Sequence, residues 1–190
     1  MLEILRTLFR YSSRSTTRLL DAIERLTPEE YVAPGCSGQG SIRDTLAHLL
    51  AVEWSWISEL DGSMTPAEAE GLTITGEEIA LPAEARRRWV EIDAQTTRCL
   101  TVLSEEALLT GWTSYLPGGS TFTLPYWQVL LHVANHGTHT RAQIVAAIRR
   151  AGHAPGSYEL VGFAIRESAA EGPRDLRDGV VSRSAPATVA

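Results

Sequence analysis

The chain contains no lysine; all 17 of its basic residues are arginine. Without a side-chain primary amine there can be no Schiff-base chemistry and no phosphate loop closed by lysine. Cysteine is nearly absent as well. Cys36 and Cys99 form neither a C-x-x-C pair nor a disulfide framework. Cys36, in the loop Pro34-Gly35-Cys36-Ser37-Gly38, reads as an ordinary thiol in a segment open to exposure. No apolar run approaches the roughly 20 residues that span a bilayer, so no membrane partner is expected. The start, Met1-Leu2-Glu3-Ile4-Leu5-Arg6, carries an early acid and lacks a long apolar stretch or small-residue cleavage site, which favours a cytoplasmic protein. Basic excess is missing too. A net charge of −6 argues against a phosphate-backbone binder, and no nucleic-acid partner is expected.

What is present is enough apolar material for a core. Hydrophobic residues make up 44% of the 190 positions, which suits one globular domain. Four stretches carry helical periodicity. The first spans about residues 2–26, with Leu5, Leu8, Leu19, Ile23 and Leu26 on one side, and breaks at Thr27-Pro28-Glu29-Glu30. The second starts at Ser41, an N-cap with Asp44 three residues on, and runs to Leu60. Residues 63–81 read as loop. The third begins near Pro82 and runs through Trp89, Ile92, Cys99 and Leu103. The fourth opens at Pro125 and reaches Ala151, with Gly152 as its stop.

Between the third and fourth, Trp112-Thr113-Ser114-Tyr115 and Ser120-Thr121-Phe122-Thr123 flank Leu116-Pro117-Gly118-Gly119 and predict a small β-hairpin. The expected architecture is all-α: a four-helix bundle with the hairpin as an appendage, over residues 1–165. Residues 166–190, rich in Ser, Ala, Gly and Arg, are expected as a polar C-terminal tail. The tryptophans Trp54, Trp56, Trp89, Trp112 and Trp127 are expected to pack in the core and hairpin rather than to form a substrate cage.

Four of the five histidines fall on just two of these helices: His48 on the second, and His132, His136 and His139 on the fourth. Imidazole titrates near neutrality and is the commonest protein metal ligand. At about 100° per residue, His136 and Thr140 lie nearest the apolar stripe of Leu130, Val133, Ile144 and Ile148. His132 and His139 lie toward its edge. On the second helix His48 sits at the margin of the apolar face and Glu53 lies inside it, where a bare carboxylate would cost several kcal/mol. Arg98 and Arg141 are its candidate partners. This pattern predicts a metal held by imidazoles of the second and fourth helices, with Glu53 as ligand, base or acceptor behind the ligands. The bland alternative is that each histidine only hydrogen-bonds a neighbour.

The arrangement resembles the DinB/YfiT-like superfamily of four-helix-bundle metalloenzymes. The resemblance rests on Ser41-Ile42-Arg43-Asp44-Thr45-Leu46-Ala47-His48-Leu49-Leu50 and, more specifically, on the run from Leu131 to Ile144 that contains His132, His136, His139 and Thr140. It implies an up-down-down-up bundle, a homodimer, and nickel or zinc held by one histidine of helix two and two of helix four. Carried over by position, these are His48, His136 and Thr140, so a threonine stands where the third imidazole is expected. A hydroxyl is a poor ligand for such a metal. Water could complete the site, Glu53 or His139 could substitute, or the metal could be absent. The family also implies thiol-dependent transferases or isomerases that use a low-molecular-weight thiol and act on a small-molecule substrate. The resemblance-based expectation is thus a metal-dependent transferase or hydrolase; the alternative is a metal-free homodimeric bundle acting as a binding or stress-response protein.

Overall fold

The computed structural model describes residues 1–115 and 120–171. The expected hairpin connection at 116–119 and most of the expected tail, 172–190, lie outside the described residues. The described chain is mostly helical with two small antiparallel sheets. It divides into two units, Met1–Ser157 and Tyr158–Ala190.

In the first unit the leading helix α1 spans Leu2–Ile23 and buries Leu2, Leu5, Phe9, Leu19 and Ile23. The middle of that stripe is polar, for Ser12, Ser15 and Thr16 are buried as well. The expected break after α1 proves to be a helix start. Thr27 caps the short α2 (Pro28–Val32) through a capping box: its Oγ1 accepts from the Glu30 amide, and its own amide donates to Glu30 Oε2. Strands β1 (Pro34–Cys36) and β2 (Gly40–Ser41) then pair tightly across a turn, with Gly35 and Gly40 at φ of 112° and 92°.

Helix α3 (Ile42–Leu60) is capped by Ser41, whose Oγ accepts from the Asp44 amide and donates to Asp44 Oδ2. The stretch expected as loop contains a further short helix, α4 (Pro66–Glu70), started by a second capping box between Thr65 and Glu68. Helix α5 covers Pro82–Val102. Strands β3 (Gly111–Tyr115) and β4 (Thr121–Pro125) form the expected hairpin, with Trp112 opposite Leu124 and Ser114 opposite Phe122. Helix α6 (Tyr126–Arg150) follows at once and ends at Gly152, whose φ of 88° suits the expected stop.

Contacts between the long helices fix their directions. Leu2, Leu5 and Phe9 share a cluster with Val129, Leu130 and Val133, and Arg141 reaches Ser12 and Thr16, so α1 and α6 run the same way. Arg86, at the start of α5, pairs with Asp21 and Glu24 at the end of α1, while Arg6 donates to the Leu100 carbonyl. Those two helices therefore run oppositely. His48 faces His136 while Trp56 faces His132, which makes α3 and α6 antiparallel. Tyr126 at the head of α6 donates to the Leu60 carbonyl at the end of α3, locking that junction.

The second unit shows one described helix, α7 (Leu160–Glu171). The start of the expected tail, 166–171, is therefore helical.

Burial predicts stability. Ile57 is fully enclosed and Val102 is 84% exposed. Ile57→Ala should cost about 2–5 kcal/mol in urea unfolding, and Val102→Ala should stay within about 0.5 kcal/mol of wild type. Equal losses at the two positions would contradict this core.

Candidate metal centre and cleft

The antiparallel contact of α3 and α6 brings the two nominated imidazoles together. His48 Nε2 and His136 Nε2 are 3.2 Å apart, with the rings edge to face at 5.1 Å between centroids. One turn further along α6, the buried Thr140 places Oγ1 3.4 Å from His136 Nε2. Three donor atoms thus converge. At metal–nitrogen distances of about 2.0–2.1 Å, two tetrahedral ligands stand about 3.3 Å apart, so the observed spacing matches one edge of such a site. It also matches a direct imidazole–imidazole hydrogen bond. Among the described residues no group of three or more His, Cys, Asp or Glu side chains is arranged to hold a metal ion. The donor set is therefore two imidazoles and a hydroxyl, which fits a weak divalent site better than a strong one.

Burial keeps both rings uncharged. His136 is pushed down to about 4, chiefly by loss of water and then by the neighbouring charges of His48, His132, His139 and Arg141. Burial also lowers His48. A neutral imidazole offers a lone pair at neutral pH, which is what a metal or a proton donor requires.

The remaining histidines take other partners. The His132 ring packs on Trp56 at 5.2 Å, and His139 Nε2 lies 3.1 Å from the Gln143 side-chain nitrogen. His153, outside the nominated set, meets both carboxylate oxygens of Glu30 at 3.0 and 3.1 Å. Cys36 is buried, with Sγ 3.2 Å from Thr45 Oγ1, so the exposure open to it in sequence is not realised.

Glu53 lies in the interior at 3% exposure, facing Arg141 rather than joining a metal-holding group. Of its two candidate partners, Arg141 is the one that acts on it; Arg98 acts instead on Asp61. Arg141 is itself buried, and it donates to Ser12 Oγ at 2.8 Å, Thr16 Oγ1 at 3.2 Å and Thr138 Oγ1 at 3.3 Å. These hydroxyls explain the polar middle of α1. The guanidinium folds back over Gly137, where an added Cβ would meet Nη1 at 2.9 Å.

Beside the histidine pair lies a cleft of about 710 Å³, floored by the outer face of α3 and walled by residues 66–76 and the end of β3. His48 and Trp56 belong to both the cleft and the α3–α6 contact. Trp56 packs on the core and on the hairpin's Trp112, as expected, and lines the cleft as well. Glu59 also lines the cleft and was missed in sequence. It lies 11 residues beyond His48, about three turns, so the same helical wheel places it within about 20° of that histidine.

A mostly helical chain with a histidine pair between two long helices is the class these features define. A family model for the DinB family matches residues 1–172, and the chain belongs to that family. No curated protein sequence matches it.

Glu53 makes a prediction of definite sign. Burial raises its carboxyl from 4.5 to about 7, against the pull of Arg141 and with a small push from Asp93. The folded state holds this proton more tightly than the unfolded chain. Its stabilising contribution is therefore full below pH 4.5 and is lost as the pH rises through about 7. The lowered histidines act oppositely, stabilising as the pH rises toward 6.5. Comparison with Glu53→Gln cancels the histidines. The stability of wild type relative to that variant should fall by about 2 kcal/mol between pH 5 and 7.5 in urea unfolding. Parallel curves would contradict the assignment.

Proposed function

We propose that this DinB family protein is a divalent-metal-dependent enzyme acting on a small-molecule substrate, built on an up-down-down-up four-helix bundle of α1, α3, α5 and α6. The observation that carries the reading is the convergence of two imidazole nitrogens at 3.2 Å, one of them from His48, which also lines an open cleft. His48 and His136 are the metal ligands, and the Thr140 hydroxyl stands in the third position. Nickel or zinc is the metal of choice, since imidazole suits both. When bound, such an ion supplies Lewis acidity and stabilises hydroxide or thiolate near neutral pH.

The chain's own groups supply the rest. Burial holds His48 and His136 unprotonated. Thr140 fixes the His136 ring through Oγ1. The cleft orients the substrate and sheds water from it. Glu53 is the acid–base group of this reading, an interior carboxyl on the same helix as His48 that burial raises to about 7. A low-molecular-weight thiol is the proposed co-substrate, in a transferase or hydrolase reaction, and the protein is proposed to work as a cytoplasmic homodimer. Among the described residues no helix is long and apolar enough to cross a membrane.

The Thr140 position favours a second reading: a metal-free homodimeric bundle retained for ligand binding or stress response.

Elemental analysis of purified protein separates the two. The enzyme reading predicts one equivalent of nickel or zinc in protein equilibrated with the ion, lost in both His48→Ala and His136→Ala. It also predicts a rise in melting temperature on adding either ion, equivalent to about 2.7 kcal/mol at a hundredfold excess over Kd. Thr140→His should tighten binding by about a hundredfold or more. Metal-free wild type with an unchanged melting temperature, alongside strong uptake by Thr140→His, would overturn the enzyme reading in favour of the second.

A further inference from the structure

The cleft is chemically graded along its length. At one end, Gln39, Asp44 and Gly76 surround the first turn of α3, where Asp44 is already paired with Arg43 at 3.0 Å. The middle is apolar, formed by Ala51, Val52, Ala69 and Leu72. The far end carries Glu59, Ser114 and Tyr115, with the Trp56 ring one turn before Glu59. Helical rise separates His48 from Glu59 by about 16 Å, so the two ends of the cleft offer different chemistry to one elongated molecule.

Glu59 is the group without a counterpart. Ser114 hydrogen-bonds its carboxylate, yet Oε1 is buried with no hydrogen-bond partner. Such an atom costs free energy unless a donor arrives. With Asp44 and Glu59, Glu70 makes three acids in the lining, and no arginine is among the lining residues. An anion entering at the Glu59 end would meet acids, while the Arg43 guanidinium beside Gly76 at the opposite end is already engaged by Asp44. A cation would meet a carboxylate at the end of the cleft that Trp56 and Tyr115 also line, and carboxylate with aromatic rings suits a bound ammonium group.

We infer that the cleft binds an elongated small molecule with an ammonium end, held by Glu59 between Trp56 and Tyr115, its apolar body lying along Ala51, Val52 and Leu72 toward His48. This names the ligand class of the cleft, and it rests on the proposed function only in taking the cleft as the substrate surface.

Calorimetric titration of the full chain at pH 7.5 with three probes of equal length tests it: n-octylammonium, octan-1-ol and octanoate. The ammonium should bind about tenfold or more tightly than the alcohol, and the carboxylate more weakly than either. Glu59→Gln should remove the preference for ammonium and leave the alcohol unchanged. Val52→Arg, which puts a fixed cation on the cleft floor, should abolish ammonium binding. In His136→Ala the preference should persist even as the metal is lost, which separates this inference from the metal reading. Octanoate binding as tightly as octylammonium would overturn the inference. So would wild-type preference in Glu59→Gln or Val52→Arg, or loss of preference in His136→Ala.

Discussion

Two ring nitrogens 3.2 Å apart admit at most one proton between them, and the space around His48 and His136 is too poor in water to stabilise a charged ring. That constraint organises the rest of the structure. It sits on the antiparallel contact of α3 and α6, with Trp56 against His132 at one level and the imidazole pair at the next. It leaves both rings neutral at physiological pH, so that with the N–H of each ring on Nδ1 both Nε2 lone pairs face one point, and with one N–H on Nε2 the pair is closed by a hydrogen bond. It also places Thr140, one turn on, beside the same nitrogen.

On the interior side of α6 a different problem is solved. Arg141 carries a full charge into the core, and a buried guanidinium is tolerated only when its donors are taken. Ser12, Thr16 and Thr138 accept from it, and Gly137 leaves room for the side chain to fold back. The charge and the hydroxyls tie α1 to the stretch of α6 that presents His136 and Thr140. A rigid support of this kind holds a site in place better than loops do. Glu53 titrates near neutrality because desolvation outweighs the pull of Arg141.

The long helices, the hairpin and the histidine pair were legible in sequence because each rests on local periodicity or turn chemistry. The helical wheel put His48 at the margin of one apolar face and His136 close to the apolar stripe of the other helix, and the structure brings them together. Short features were harder. Helix α2 and helix α4 are each only 5 residues long, and their Pro-containing capping boxes look like breaks until the Glu three residues on is counted. The serine and threonine run in α1 reads as an interruption of the leucine stripe, and only the distant Arg141 explains it. Glu59 escaped notice because three turns separate it from His48; its importance comes from the cleft wall formed by other segments. The third metal position stayed open for a chemical reason: Thr140 can hydrogen-bond an imidazole but is a poor substitute for one.

The central claim is that His48 and His136 form a neutral, metal-competent pair. Nitrogen-15 NMR of the imidazole rings across pH, with and without one equivalent of zinc, tests it most directly. The account predicts that His136 stays unprotonated down to about pH 4, and that Nε2 of both rings shifts together when zinc is added. Ordinary titration of both rings near pH 6.5, with no response to zinc, would contradict it.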